Sequence, residues 1–216
     1  MTSLIPLGDS AFLARFETDE AAAGWAESVR SRNEPCVIDV VAAYSNVAVY
    51  VDPDSVDFER VDIALREIEI TPAEWGRIRT HRIPAVYDGI DLAEVAARLG
   101  LTADQVVEAH SGQEYRVSAI GFLPGFPYAS DLPDRLRGLP RRSSPRPRVA
   151  AGSVAIAGKQ TAIYPSESPG GWHLIGRTPL RIVDVPSGIF PIRVGDRLRF
   201  EPIDRESFES RRGLLR

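Results

Sequence analysis

One cysteine in 216 residues, Cys36, excludes an internal disulfide and a thiolate metal set. It lies in the apolar run CVIDVVAAY, where a small core residue is expected. Histidine is almost as scarce. The three present, His81, His110 and His173, lack the paired spacing that zinc requires, so no metal site is expected. No apolar run is long enough to cross a bilayer and no apolar leader segment opens the chain, which makes a soluble cytoplasmic protein the expectation. A surplus of positive charge is missing as well. With 26 Lys+Arg against 30 Asp+Glu, the formal net charge is -4, so despite the cluster Arg141, Arg142, Arg146 and Arg148 nucleic acid is not an expected partner.

What the chain does have is 44% hydrophobic residues, enough for one ample core or two small ones. Domains of about 100 to 150 residues are favoured by surface-to-volume scaling, so two modest domains are expected. Ile5 to Leu7 and Ala11 to Phe16 read as a hairpin turned at Gly8-Asp9. Thr18 caps a helix carrying Ala22, Trp25, Ala26 and Val29 at helical spacing and ending near Arg32-Asn33. Val37 to Tyr44 and Asn46 to Val51 form a second strand pair. A second helix then buries Phe58, Val61, Ile63, Ala64, Leu65 and Ile68, capped by Asp54 or Ser55. This order is a two-layer α+β unit with both helices on one sheet face, and nothing in it resembles an active site; assembly or scaffolding is its expected role.

The periodicity breaks over residues 71 to 82, which places a boundary between residues 1–80 and 81–216. His81 falls in this basic edge and reads as a surface residue. A strand over His81 to Tyr87 follows, then a helix from Asp91 to Leu99 stopped by Gly100, then a second from Ala103 to Ala109 capped by Thr102. His110 at its end either complements the helix dipole or moves protons. The strand ending at Ile120 runs into GFLPGFPY, a rigid loop whose Phe122 and Phe126 either touch a ligand or plug an apolar end.

Val149 to Thr178 is the most unusual stretch. Gly152 to Thr161 imitates a phosphate-binding loop but fails: five residues separate the glycines, Gln160 follows Lys159, and no helix opens. Ser153 and Ser168 lack the frame of a hydrolase nucleophile. A polar cleft survives, carrying Gln160, Thr161, Tyr164, His173, Arg177 and Thr178. Alternation puts Thr161 and Ile163 on one strand face and Gln160, Ala162 and Tyr164 on the other. Arg177 suits a carboxylate or phosphate, and Gly170-Gly171 leave room for it beside His173. The plainer alternative is a set of tight strand turns around a buried Trp172.

The motifs GFLPGFPY, PRPRVAAGSVAIAGKQTAIYP, SPGGWHLIGRTPL and VGDRLRF resemble those in the B subunit of bacterial ATP-dependent 5-oxoprolinase, a family also described as allophanate hydrolase subunit 1 or KipI-like. The likeness runs from Gly8 to Phe200, with alanine at positions 42 and 150 where proline is expected and at 162 where glycine is expected. The resemblance implies an α+β domain followed by a cyclophilin-like β-barrel. It implies partners too: a C subunit, like allophanate hydrolase subunit 2, and an A subunit similar to lactam utilisation proteins. ATP, bound here or on a partner, would phosphorylate the oxygen of 5-oxo-L-proline so that water can open the lactam to L-glutamate. On that reading His110, His173 and Arg177 are the catalytic candidates, and Gln160, Thr161, Tyr164, Gly170, Gly171, Thr178, Phe122 and Phe126 line the substrate. Other relatives suggest an inhibitor of a sensor histidine kinase, or one component of a urea- or allophanate-processing complex.

Overall fold

The computed structural model describes residues 1–54, 57–69 and 78–215. They divide into two compact units, Met1–Ile78 and Arg79–Arg216. In the first unit, β1 (Ser3–Pro6), β2 (Ala11–Arg15), β3 (Val37–Ala43) and β4 (Asn46–Val51) pair antiparallel in the order β1-β2-β4-β3. Gly8 takes the left-handed φ of +72° that the first turn needs. Helix α1 (Asp19–Ser31) begins where the Thr18 hydroxyl accepts the Ala21 N–H and buries Ala22, Trp25, Ala26 and Val29. Helix α2 (Phe58–Arg66) stacks Phe58 on Phe12 at 4.2 Å between ring centroids.

Three expectations change in this unit. Helix α2 is capped by Asp57, whose carboxylate accepts the Glu59 and Arg60 N–H groups; of the expected caps, Asp54 is not the one used and Ser55 lies outside the described residues. Its buried stripe is narrow: Leu65 is buried within the helix and Ile68 just beyond its end, while Ile63 is exposed, because a nine-residue helix offers the sheet barely one full row. Cys36 is only half-buried, since it sits in the turn before β3 where its carbonyl accepts the Asp52 N–H.

The second unit holds β5 (Thr80–Ala85), α3 (Leu92–Leu99), α4 (Ala103–Ser111), β6 (Glu114–Ile120), β7 (Pro127–Ala129), β8 (Arg146–Val149), β9 (Ser153–Ala157), β10 (Gln160–Ile163), β11 (Ser168–Gly170), β12 (His173–Arg177), β13 (Leu180–Arg181), β14 (Arg197–Pro202), α5 (Arg205–Ser210) and β15 (Gly213–Leu214). Its main sheet runs β5-β14-β6-β7-β10-β9-β12, antiparallel except for β5 and β14. The two-stranded pieces β8-β11 and β13-β15 flank it. Gly100 ends α3 in the left-handed conformation, and Thr102 with Gln105 forms a complete capping box on α4.

The unit is a mixed α/β structure dominated by antiparallel pairing, and its strand ladders leave the sheet open where a closed barrel was expected. Between β5 and β12 there is one bridge, Val86 to Arg177, with further backbone bonds from Gly89 to Ile175 and Asp91 to Leu174. The ladder stops because the chain turns toward α3 at Gly89, packed so tightly that a Cβ there would lie 2.3 Å from the Ile175 carbonyl carbon. The core under the sheet includes Ile83, Val95, Val106, Tyr115, Ile156, Ile163, Ile175 and Phe200.

His81 also departs from expectation. Instead of lying on the surface it is buried, its Nε2 2.9 Å from Asp196 Oδ2. Asp196 further accepts the Arg79 and Arg193 N–H groups. Burial pushes its carboxyl up, but the bonds from His81 and the two amides outweigh that and hold it below the usual aspartate value.

Candidate functional site

The glycine-rich stretch folds into the β9-β10 hairpin, with Gly152 at φ +81° and Gly158 at +60°. Its amides enter the ladder, so no phosphate cradle forms there. Both faces of the hairpin are covered. Thr161 and Ile163 face the main core, while Ala162 and Tyr164 join Ala155, Trp172 and Phe126 in a second cluster on the other side.

On the core face His110 is fully buried and stacks against Tyr115 and Phe200. Thr161 gives its hydroxyl hydrogen to the Ala155 carbonyl at 3.1 Å, so it accepts from His110 Nε2–H at 2.8 Å. Nδ1 then accepts the Tyr87 hydroxyl at 2.7 Å. Tyr115 donates to the His110 carbonyl at 2.6 Å. Burial pushes the imidazole pKa down to about 3, so His110 stays neutral. With both nitrogens engaged and no solvent access, His110 and Thr161 tie the core together and have no path to a substrate. Of the two readings of His110, this arrangement favours the structural one.

On the other face Phe126 is the hub of edge-on contacts with Phe122, Tyr128, Tyr164 and Trp172, at centroid distances of 5.0 to 5.8 Å. Phe126 is buried, whereas Phe122 is 61% exposed and held at φ +68°. Gly170 is required by Tyr164, since a Cβ would fall 2.3 Å from its hydroxyl oxygen; Gly171 is less crowded, its nearest neighbour being the Arg142 carbonyl oxygen at 3.6 Å. Gln160 opens β10 beside the Gly158-Lys159 turn, half-buried.

Arg177 does not wait for a ligand. Its Nε and Nη2 fork onto Asp88 at 3.0 to 3.2 Å, and its guanidinium lies 4.4 Å from the centre of the Phe208 ring. The Asp88 hydrogen bond holds its pKa above the usual value. Thr178 is buried beside Gly152 and caps a turn by accepting the Leu180 N–H. Both residues build the strand end, Arg177 through its pair with Asp88 and Thr178 through its turn bond to Leu180.

The densest charged arrangement is one that the spacing of residues did not single out. Asp91, expected to do no more than start α3, makes no side-chain cap. It is buried, accepting the Leu174 N–H on Oδ2 at 2.7 Å, and Arg142 Nη1 and Arg146 Nη2 on Oδ1 at 3.2 and 2.5 Å. Arg142 also meets Glu94 at 3.0 Å, and that bond holds the Glu94 carboxyl below its usual value. The segment from Pro140 to Arg142 is stitched to the start of β12: Arg142 N–H donates to the Gly171 carbonyl at 2.7 Å and His173 Nε2–H to the Pro140 carbonyl at 2.9 Å. Arg141 stands over Trp172. His173 thus borders the segment that carries the Asp91–Arg142–Arg146 knot. The signal for this knot was the basic run 141–148, read only against polyanions. Among the described residues no group of three or more potential metal ligands occurs. No helix of the described residues is long and apolar enough to cross a membrane.

Residues 2–188 match the family described as Carboxyltransferase domain, subdomain C and D. The chain is 40% identical to the B subunit of 5-oxoprolinase from Escherichia coli O157:H7, covering 91% of this chain and 94% of that one. It is 36% identical to the protein of the same name from Bacillus subtilis, covering 94% of each. Among solved structures, that of TTHA0988 superposes with a TM-score of 0.82 at 39% identity, covering 90% of this chain but only 40% of that one. The urea amidolyase of K. lactis shares the fold at 18% identity and a TM-score of 0.66, covering 96% of this chain and 15% of its own.

Proposed function

Because the chain belongs to the carboxyltransferase subdomain C and D family, we propose that it is the B subunit of an ATP-dependent 5-oxoprolinase. The observation that carries this is the 40% identity to the same component of a 5-oxoprolinase over nearly the full length of both chains. The enzyme opens 5-oxo-L-proline to L-glutamate with ATP hydrolysis and assembles in the cytoplasm from this chain and two partners, a C subunit, like allophanate hydrolase subunit 2, and an A subunit. The chain is inactive alone.

The second unit, with its open, mostly antiparallel sheet, contributes the substrate-facing side. Its hairpin offers no triphosphate cradle, which favours a partner as the seat of ATP. An unstrained lactam is a poor electrophile, and phosphorylation of its oxygen makes the carbon open to water and turns the oxygen into a leaving group. The chain's own contribution is binding and orientation, for which the arginines beside His173 are suited. Exposed Phe122 and the neighbouring aromatic cluster are well placed to meet a partner or a ligand.

The first unit has the assembly role. In its sheet the face away from the buried rows carries Ile5, Leu13, Ala48 and Val41 in register across all four strands, and Ile5 and Val41 are exposed. Reconstitution tests the whole reading. 5-Oxoproline-dependent ATP hydrolysis should appear when this chain joins both partners and vanish when it is omitted. Turnover of urea or allophanate instead would overturn it, as would inhibition of histidine kinase autophosphorylation without any ATP-coupled lactam opening.

A further inference from the structure

We infer that Arg142, Arg146 and His173 form a binding site for an oxyanion that carries a neighbouring N–H donor. Within the oxoprolinase reading, on which this assignment rests, that ligand is the α-carboxylate and ring N–H of 5-oxo-L-proline.

Among the described residues, three buried polar atoms here have no hydrogen-bond partner: Arg142 Nε, Arg146 Nη1 and His173 Nδ1. They belong to one knot, since Asp91 holds both guanidinium groups and the backbone N–H of Leu174, the residue after His173. Unpaired buried polar atoms are costly, and native structures leave few of them without a purpose. Their chemistry is specific. Two are N–H donors directed by a fixed carboxylate. The third is a lone pair, because His173 spends its Nε2–H on the Pro140 carbonyl. A ligand that satisfies all three must present both acceptor oxygens and a donor hydrogen. In 5-oxo-L-proline the carboxylate and the ring N–H sit on adjacent atoms.

Access runs through the arginines, whose side chains are 29% and 22% exposed. The carboxylate would also displace Glu94 from Arg142, and that pair is solvated, with the Glu94 side chain 45% exposed, so its loss costs little. Asp91 acts as a positioning residue: its three bonds fix where both forks point.

Titration calorimetry on the reconstituted complex of all three proteins tests this. 5-Oxo-L-proline should bind about tenfold or more tightly than 2-pyrrolidinone, which keeps the ring N–H but lacks the carboxylate, and than inorganic phosphate. Arg142→Gln should weaken 5-oxo-L-proline binding about tenfold, with Arg142→Lys recovering only part of the loss. Glu94→Gln, at a solvated position that folding does not depend on, should tighten binding by roughly two- to threefold by freeing Arg142. If Arg142→Gln unfolds by circular dichroism, the Glu94→Gln result decides. Unchanged affinity in these variants, in a complex that still hydrolyses ATP with 5-oxoproline, overturns the site and leaves the function standing. A complex that neither binds nor turns over 5-oxoproline overturns both, and tighter binding of phosphate than of 5-oxo-L-proline overturns the ligand assignment.

Discussion

His110 and His173 are both fully buried in the second unit, on elements that meet the same β9-β10 hairpin, yet they live under opposite rules. Around His110 every polar atom is matched: Tyr87 donates to one nitrogen and Thr161 accepts from the other. At His173 one nitrogen is matched and the other is not, and two N–H groups of the arginines held by Asp91 share that state. The first arrangement behaves as a structural bolt, in which satisfied bonds in a low-dielectric core fix a unique packing. The second keeps bonding capacity in reserve, which is what a binding site does. Burial alone therefore does not distinguish the two histidines; the completeness of their hydrogen bonds does.

The comparison breaks first at His110. His110→Ala should remove two buried bonds and leave the Tyr87 hydroxyl without its acceptor over a cavity, costing about 3 kcal/mol or more, read by chemical denaturation. A loss under about 1 kcal/mol would mean the network is not a bolt. Next, Gly170→Ala forces a Cβ against the Tyr164 hydroxyl and should cost about 1 to 3 kcal/mol, much of it recovered in the double variant with Tyr164→Phe. If the double variant recovers nothing, the aromatic cluster does not depend on that contact.

A pH titration sharpens the same point. His110 is pushed down to about 3 in the folded chain from an ordinary 6.5. Between those values the unfolded chain binds the extra proton, so this group's contribution is complete above the ordinary value and is lost as pH falls, by up to about 1.4 kcal/mol per pH unit. His110→Gln should flatten that slope in denaturation curves taken between pH 7 and pH 4. Asp196 works on a lower window. Its folded pKa is held below the usual aspartate value, so its stabilisation is present above that value and disappears on further acidification; the deficit of Asp196→Asn should close there. The smallest effect is expected at Arg177→Ala, about 0 to 1 kcal/mol in stability, because its pair with Asp88 is half-solvated.

Local chemistry was legible in the sequence. The Thr18 and Thr102 caps, the Gly100 stop, and the two faces of β10 follow from short-range rules of bonding and period, and each is where those rules put it. Partners far apart in the chain were not legible. His81 reads as a surface residue until Asp196 is brought to it, and Arg177 reads as a ligand clamp until Asp88 takes up its fork. Asp91 is the sharpest case: it reads as the first residue of a helix, and only folding shows that residues 142, 146 and 174 share its carboxylate.

The most direct measurement sets Arg142 against Arg177 in the reconstituted enzyme, with the KM for 5-oxo-L-proline read from ATP hydrolysis. Arg142→Gln is expected to raise KM about tenfold while Arg177→Gln leaves it within about twofold. A rise confined to Arg177→Gln would contradict the assignment and return substrate recognition to the end of β12.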